Sequence, residues 1–480
     1  MRRSFEMYPL TKSIFFGCFH CSGISRNLPK AYYCTNLRTL GKPNVNVENM
    51  RGFAKVQSLS QHYYRSTRKG TLSSRRPVST SPGNTQSSIE RKHQKSPSKN
   101  KSFVPRKMLI LPKVTRFSFE KGRFPDLSES ELRRKLAERG SDYEHLVERH
   151  SVHLKNLQNL VEKLEETGAS VKVCTNMKDF TEEAVDWAEL VISAGGDGTF
   201  LSASRKVFGD KPIIGVNTDF VGSEGFLCLP RKYSGNITKA LKLMESGSYR
   251  WRKRARIRVT VKGGDTSHPI DLYDEDLTFS DHRHLHNSER QKSLERRLNG
   301  EDSEEHIIPI RALNEVFVGE SLSSRMSYYE ISIDNGPLEK QKSSGITICT
   351  GTGSTSWSFN INKLSYQSVE EVLKIANRQT GSNYSTNQES VKTVADSFNG
   401  RLLFDPRVLQ MVYSVRDPVV YGIFQVRKPR GFARKITIRS RCRDACLTVD
   451  AGTSYLFNDG ALATLEMFDE DAIKTIEMVE

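Results

Sequence analysis

Acidic residues are nearly missing from the start of this chain. Residues 1–101 contain Glu6, Glu48 and Glu90, no aspartate, and nineteen Lys and Arg, so sixteen of the seventeen net positive charges sit there. The remainder is close to neutral, which removes the first reading of a charge of +17, a nucleic-acid binder. No aromatic platform accompanies the basic residues, so an RNA-binding tail lacks its stacking surface. A stretch rich in Arg, Lys, Ser and Thr, poor in acids and with scattered apolar residues, instead resembles a mitochondrial transit peptide followed by a linker. Ser66 to Lys101 is of low complexity and is expected to be disordered. Residues 1–102 are therefore set apart, and the working place expected for the protein is the mitochondrial matrix.

Long apolar runs are also absent. Ile14-Phe15-Phe16 falls far short of the roughly 18 residues that cross a bilayer, so no membrane role is expected. Eight cysteines are scattered without a framework. Cys18 and Cys21 have no second pair to complete a zinc site, Cys174, Cys228 and Cys349 sit in apolar runs, and Cys442 and Cys446 flank a strand. His145, His150 and His153 read as solvated positions on a helix. His282, His284 and His286 read as chance neighbours in a polar loop, and no metal-ligating set is expected. There is no GxxxxGK[ST] segment, which excludes the Walker route to phosphate binding.

Beyond the leader the chain is long enough for two domains with proper cores. In residues 103–248, short apolar runs alternate with helical spacing. Met108–Leu111, Val171–Cys174, Leu190–Ser193 and Ile213–Val216 read as strands. Ser128 with Glu131 forms a capping-box pattern, Leu146 to Leu164 repeats at helical intervals before Gly168, and Thr181 caps a short helix through Trp187. Such alternation predicts an α/β lobe with a Rossmann-like parallel sheet. From Tyr249 the pattern becomes strand-rich, and residues 249–452 predict a β-rich lobe. Ala255, Ile257, Val259 and Val261 alternate with Arg254, Arg256, Arg258 and Thr260, a strand with one basic face. That face is expected to be solvated, a place near phosphates or at a subunit contact being the alternative. Val316–Val318, Tyr328–Ile333, Ile346–Thr350, Leu409–Val415, Lys435–Arg439 and Cys446–Val449 are further strands, with Asp334-Asn335-Gly336 as a hairpin turn. Surface insertions are expected near 263–309 and 362–400, the second helical over Ser368–Gln379 and then polar through Gln388. Residues 453–480 are expected to pack back on the first lobe, and the active cleft to lie between the lobes.

Everything turns on Leu190 to Phe200, LVISAGGDGTF. An apolar strand empties into Gly195, Gly196 and Gly198, and Thr199 opens the helical segment FLSASRKVF. Strand, glycine turn and helix start let backbone N–H groups approach phosphate oxygens, with the helix dipole favouring the anion. Asp197 is out of place in a pure phosphate cradle, which points to proton or metal chemistry. The bland alternative is a tight βα connection with a solvated aspartate.

GGDGT resembles the signature shared by NAD kinases, diacylglycerol kinases and phosphofructokinases. GVNTDFVGSEGFLCL (Gly215–Leu229), Asn314-Glu315 and CTGTGSTSW (Cys349–Trp357) are similar, in order, to three further motifs of the NAD kinase family. The stretches LSSRMSYYEISIDNGPLEKQKSSG and RSRCRDACLTVDAGTSYLFNDGA look most like its mitochondrial members, and the likeness runs from Lys107 to Ile476. The resemblance implies an NAD kinase/diacylglycerol kinase-like fold, ATP and Mg²⁺ as cofactors, NAD as substrate, and a homodimer with no nucleic-acid or membrane partner. It implies transfer of the ATP γ-phosphate to the 2′-hydroxyl of the NAD adenosine ribose. Asp197 is then the candidate base, and Gly195, Gly196, Gly198 and Thr199 face phosphates. Asn217 contacts the NAD ribose or phosphates. Asn314 and Glu315 meet adenine and ribose edges, and Thr352, Ser354 and Thr355 offer hydroxyls to the base. Alternatives from other classes are an inactive NAD(P)-binding sensor and a lipid kinase. Three departures stand out: Ser344-Gly345 for the family's Asp-Gly, Trp357 for its tyrosine, and Ala451-Gly452 for its Gly-Gly. The last requires a negative φ at position 451.

Overall fold

The computed structural model describes residues 101–264, 266, 269–272, 304–424 and 428–479. The leader and the histidines at 282, 284 and 286 lie outside the described residues. Four parallel strands, in the order β2-β1-β3-β4, form the first lobe's sheet: β1 (Lys107–Pro112), β2 (Ser170–Val173), β3 (Leu190–Ala194) and β4 (Ile213–Val216). Between β1 and β2 run α1 (Arg116–Arg123), α2 (Glu129–Glu138) and α3 (Tyr143–Glu165). Helix α4 (Glu182–Trp187) precedes β3, α5 (Asp197–Ser204) comes after it, and α6 (Arg231–Ser234) and α7 (Ile237–Glu245) come after β4. Because both sheet faces are covered, β1 and β3 are apolar at nearly every position. Met108 and Ile110 join Leu160, Leu164 and Ile214 on one face, while Leu109 and Leu111 join Phe200, Val207 and Leu313 on the other.

The capping box closes as its residues require. Glu131 N–H donates to Ser128 Oγ at 3.4 Å, and Ser128 N–H to Glu131 Oε2 at 2.9 Å. Thr181 likewise caps α4, accepting from Ala184 N–H at 3.2 Å. His153 departs from expectation: it is buried, not solvated, with Nδ1 2.8 Å from Thr218 Oγ1. Burial, then the charges of Lys113 and His150, push its pKa down to about 4, so it is neutral at pH 7. His150 is half-buried against Thr115 rather than solvated.

After β5 (Tyr249–Arg254), whose Tyr249 packs in the first lobe's core, the second lobe begins with β6 (Ile257–Lys262), β7 (Ile270–Asp271) and β8 (Glu305–Ile307). It continues through β9 (Glu315–Glu320), β10 (Ser327–Ile333), β11 (Glu339–Ser343) and β12 (Ile346–Cys349). Three helices come next, α8 (Trp357–Asn362), α9 (Tyr366–Thr380) and α10 (Gln388–Gly400). The rest is β13 (Met411–Val415), β14 (Arg430–Ala433), β15 (Lys435–Ser440), β16 (Ala445–Val449), β17 (Thr453–Leu456), β18 (Leu462–Met467) and β19 (Ile473–Met478). Two antiparallel sheets, β11-β10-β15-β18-β6-β8 and β14-β13-β12-β9-β16-β17-β7, enclose one apolar core. Alternate residues such as Val259, Val316, Ile348, Ile438 and Leu465 point into it. Asp334 and Asn335 carry φ of 49° and 62°, the left-handed pair that turns β10 back into β11. The second insertion contains two helices rather than one followed by a polar stretch. Helix α10 buries only Val391 and Ala395, too thin an apolar stripe to show in its sequence.

Of residues 453–480, expected to pack back on the first lobe, only the end does so. Strands β17 and β18 belong to the second lobe's sheets, whereas β19 pairs with β5 outside both and sends Ile473 and Ile476 into the first lobe's two apolar clusters. The basic face expected over residues 254–258 is not a face, because the chain passes from one sheet to another between β5 and β6. Ala255 and Arg256 are consecutive and both buried, which breaks the alternation. Arg256 donates from Nη1 to Ser204 O (2.9 Å) and Val207 O (3.0 Å), and from Nε to Asp471 O (2.6 Å). It satisfies the carbonyls at the C-terminal end of α5, which the helix itself leaves unpaired.

Candidate active site

Helix α5 starts at Asp197, two residues earlier than its apolar spacing suggests, with Gly196 as an N-cap that offers no side-chain acceptor. Its first amides are left for another partner, and the dipole there is positive. The glycines are needed because the turn is closely walled. A Cβ on Gly195 would lie 2.4 Å from Thr199 Oγ1 and 2.8 Å from Lys113 Cβ, and one on Gly196 would lie 2.1 Å from Ser223 Oγ.

Asp197 holds the loop before α6 in place. Its Oδ1 accepts from Leu227 N–H at 2.7 Å and its Oδ2 from Phe226 N–H at 3.1 Å. Burial pushes its pKa above the ordinary carboxylate value, against the pull of those two amides and of the Arg254 guanidinium. A desolvated carboxylate that is a stronger base than usual is what a hydroxyl nucleophile needs. Asn217 shapes the same loop from within, its Oδ1 accepting from Asp219 N–H (2.9 Å) and its Nδ2 donating to Ser223 O (2.8 Å). Its side chain is thereby engaged in building the loop.

Asn314 and Glu315 lie at the entry of β9, both buried. Beneath them Asp450 accepts from the N–H groups of Leu313 (2.8 Å), Asn314 (2.7 Å) and Glu315 (3.0 Å). Asp450 was not among the residues expected from the sequence; the only sign of it was its place before Ala451-Gly452. Position 451 also corrects an expectation, for Ala451 has φ of 51° beside Asp450 at 49°. The two form the left-handed turn between β16 and β17, and a Cβ is tolerated there at a cost of about 1 kcal/mol. Burial, then the charge of Asp450, raises the Glu315 pKa to about 8. Glu315 is thus mostly protonated at neutral pH and able to donate a hydrogen bond.

The loop after β12 closes onto Asn314. Thr350 N–H donates to Asn314 O at 2.9 Å, and a Cβ on Gly353 would lie 2.1 Å from that same oxygen. Ser356 Oγ donates toward Glu315 Oε2 at 3.4 Å. Ser354 Oγ donates to Gly351 O (2.7 Å) and Thr355 Oγ1 to Thr352 O (3.1 Å), so both hydroxyls brace the loop. Arg254, read from the sequence only as one of a row of basic residues with a place near phosphates as the alternative, lies between the two halves. Its charge acts on Asp197, and its Nη1 donates to Thr352 Oγ1 at 3.4 Å. Arg254 thus acts on Asp197 by its charge and on Thr352 by a hydrogen bond, while Ser356, Glu315 and Asp450 form a separate run of polar contacts.

A glycine turn at a helix start on a parallel sheet, with a half-buried carboxylate and a polar loop from a β-rich lobe, defines a nucleotide-handling phosphotransferase. Residues 126–249 match the family described as ATP-NAD kinase N-terminal domain. The chain belongs to the NAD kinase family. It is 45% identical over 378 residues to NAD kinase 2, mitochondrial, of Rattus norvegicus (78% of this chain, 88% of that protein). The Homo sapiens protein of that name is also 45% identical over 378 residues, covering 78% and 84% of the two chains. NAD kinase of Clostridium kluyveri is 26% identical over 207 residues, 42% of this chain and 57% of its own. Membership sets aside the lipid-kinase alternative.

Proposed function

We propose that the protein is the NAD kinase of mitochondria, forming NADP from NAD and ATP, as the names of its vertebrate relatives suggest. The 2′-hydroxyl of the adenosine ribose attacks the γ-phosphorus of ATP. An oxygen–phosphorus bond forms, the bond to the ADP oxygen breaks, and the hydroxyl proton passes to the Asp197 carboxylate. The observation that carries this is the placement of that carboxylate, desolvated, fixed by two amides, and within the field of the Arg254 guanidinium. Catalysis then consists mainly of positioning and charge stabilisation. Gly195, Gly196, Gly198 and Thr199 face phosphates at the start of α5. Asn314 and Glu315 read the adenosine, with Thr352 and Thr355 beside them and Ser354 and Asn217 shaping the loops.

Among the described residues no group of three His, Cys, Asp or Glu side chains converges on a metal position. Mg²⁺ would arrive on the ATP phosphates, with Asp197 a carboxylate that would share it, since this ion is commonly bound through few protein oxygens plus phosphates. When bound it would neutralise charge on the transferring phosphoryl group. A homodimer is part of the reading and is checked by light scattering. The function itself is tested by incubating the purified full-length protein with NAD, ATP and Mg²⁺. NADP formation is expected, and nucleotide binding without NADP would leave the sensor reading in its place.

A further inference from the structure

Lys113 flanks the glycine turn, Arg149 shares its carboxylate partner, and neither takes part in that proton transfer. Lys113 directly succeeds β1, and its N–H donates at 2.9 Å to the carbonyl of Ala194, the last residue of β3. The chain leaves β1 toward β2 on one side and leaves β3 toward β4 on the other. The crevice between the C-terminal ends of β1 and β3 is therefore where the connections diverge, the place at which open parallel sheets hold ligands. Gly195 and Gly196 line one wall, and Lys113 lines the other.

Asp219 lies beneath. Its Oδ2 is 2.9 Å from Lys113 Nζ, and its Oδ1 pairs with the Arg149 guanidinium of α3 and accepts from Gly222 N–H at 3.0 Å. The carboxylate side chain is 5% exposed, whereas Lys113 and Arg149 retain 21% and 18%. Two cations on one buried carboxylate leave a net positive charge, and the reachable groups are the cations. The histidines alongside add no further positive charge, since burial lowers the pKa of both His150 and His153 and favours their neutral forms. Burial, then the Arg149 charge, lower the pKa of Lys113, the mark of two cations crowded onto one carboxylate. Ser223 Oγ stands against Gly196 and completes the crevice with a hydroxyl.

We propose that Lys113 and Arg149, oriented by the buried Asp219, hold the oligophosphate chain of the phosphoryl donor in the β1–β3 crevice. The inference rests on the kinase reading for the identity of the donor, while the anion site rests on its own geometry. Oligophosphate chemistry is also present in the pyrophosphate of the dinucleotide, so the test separates the two sources.

Full-length protein is compared with Lys113→Met, Arg149→Met and Lys113→Arg. Each Met variant leaves Asp219 with one cation, and thermal melting checks that the fold survives. Calorimetry with inorganic tripolyphosphate and with NAD reads binding, and steady-state kinetics read KM for ATP and for NAD. Tripolyphosphate affinity and KM for ATP should each worsen about tenfold or more in the Met variants, the range of a lost charge-assisted hydrogen bond. NAD affinity should stay within about twofold, and Lys113→Arg should recover most of the loss. Unchanged tripolyphosphate affinity and ATP KM in both Met variants would overturn the proposal. So would a loss confined to NAD, which would give the crevice to the dinucleotide. Tripolyphosphate binding through Lys113 in a wild-type protein that forms no NADP would refute the kinase reading and leave the anion site standing.

Discussion

Replacing Glu315 by Gln should change how stability depends on pH, with a size set by the surroundings of this side chain. Burial, then the Asp450 charge, raises its pKa to about 8, against about 4.3 in an unfolded chain. Between those values the folded protein keeps a proton that the unfolded chain has released. Stability therefore falls as pH rises, and levels off above about pH 8. His153 works in the opposite sense: its pKa is lowered to about 4, so it destabilises as pH falls from about 6.5 toward 4 and is silent above 6.5. From pH 6.5 to 8 His153 is therefore silent, and the comparison with the Gln variant reads Glu315. At about 1.4 kcal/mol per pH unit, the wild type should lose about 2 kcal/mol across it. Glu315→Gln has no proton to release and should show little of that loss, while groups titrating alike in both proteins cancel in the difference. Urea unfolding of both proteins without nucleotide, at half-unit steps, measures it. Parallel stability curves for the two proteins would show that Glu315 is ionised in the folded state and that its buried setting over Asp450 has been misread.

Other perturbations act at single positions. Ala451→Gly relieves a left-handed residue at φ 51° and should stabilise by roughly 0.5–1 kcal/mol in thermal melting; a loss would contradict that backbone conformation. Arg256→Met keeps the stem but takes the donor from the carbonyls of Val207 and Asp471 and leaves Ser204 O with only the Val207 N–H. Each stranded acceptor costs about 1–3 kcal/mol, partly offset by no longer burying a guanidinium, so about 2–4 kcal/mol should be lost in urea unfolding. A variant as stable as the wild type would show that the guanidinium does not hold the end of α5. Residues 1–101 fused to a fluorescent protein should carry it into mitochondria; a cytosolic reporter would contradict the transit reading.

The strands of the first lobe were legible because burial on both faces leaves an unbroken apolar run, as in Met108–Leu111 and Leu190–Ile192. Helices α2 and α4 were legible because their caps are local, within three residues of Ser128 and Thr181. The features that stayed hidden depend on partners far away in the chain. His153 is buried by Thr218, and Asp450 acquires its role from amides at 313–315. Arg256 looked like one of a row of solvated arginines until the turn from β5 into β6 placed it under α5. The φ of Ala451 is set by a tight connection between paired strands, β16 and β17, which its own side chain disfavours. In the site itself, motif order brought Asp197, Asn314, Glu315 and the loop after β12 into view. Arg254, which acts on Asp197 and Thr352, was visible only as a charge on a strand.

The most direct measurement is NADP formation by full-length Asp197→Asn, with NAD affinity determined by calorimetry on the same preparation. The substitution keeps the shape and removes the proton acceptor, while turning an NH₂ group toward one of the two amides that Asp197 now accepts. A modest loss of about 1–2 kcal/mol in stability is therefore expected alongside the kinetic effect. Turnover should fall by about 10²–10⁴-fold, the contribution of a positioned general base, with NAD affinity within a few-fold of wild type. A near-normal rate would place the base elsewhere, and loss of NAD affinity in step with the rate would make Asp197 a binding contact instead.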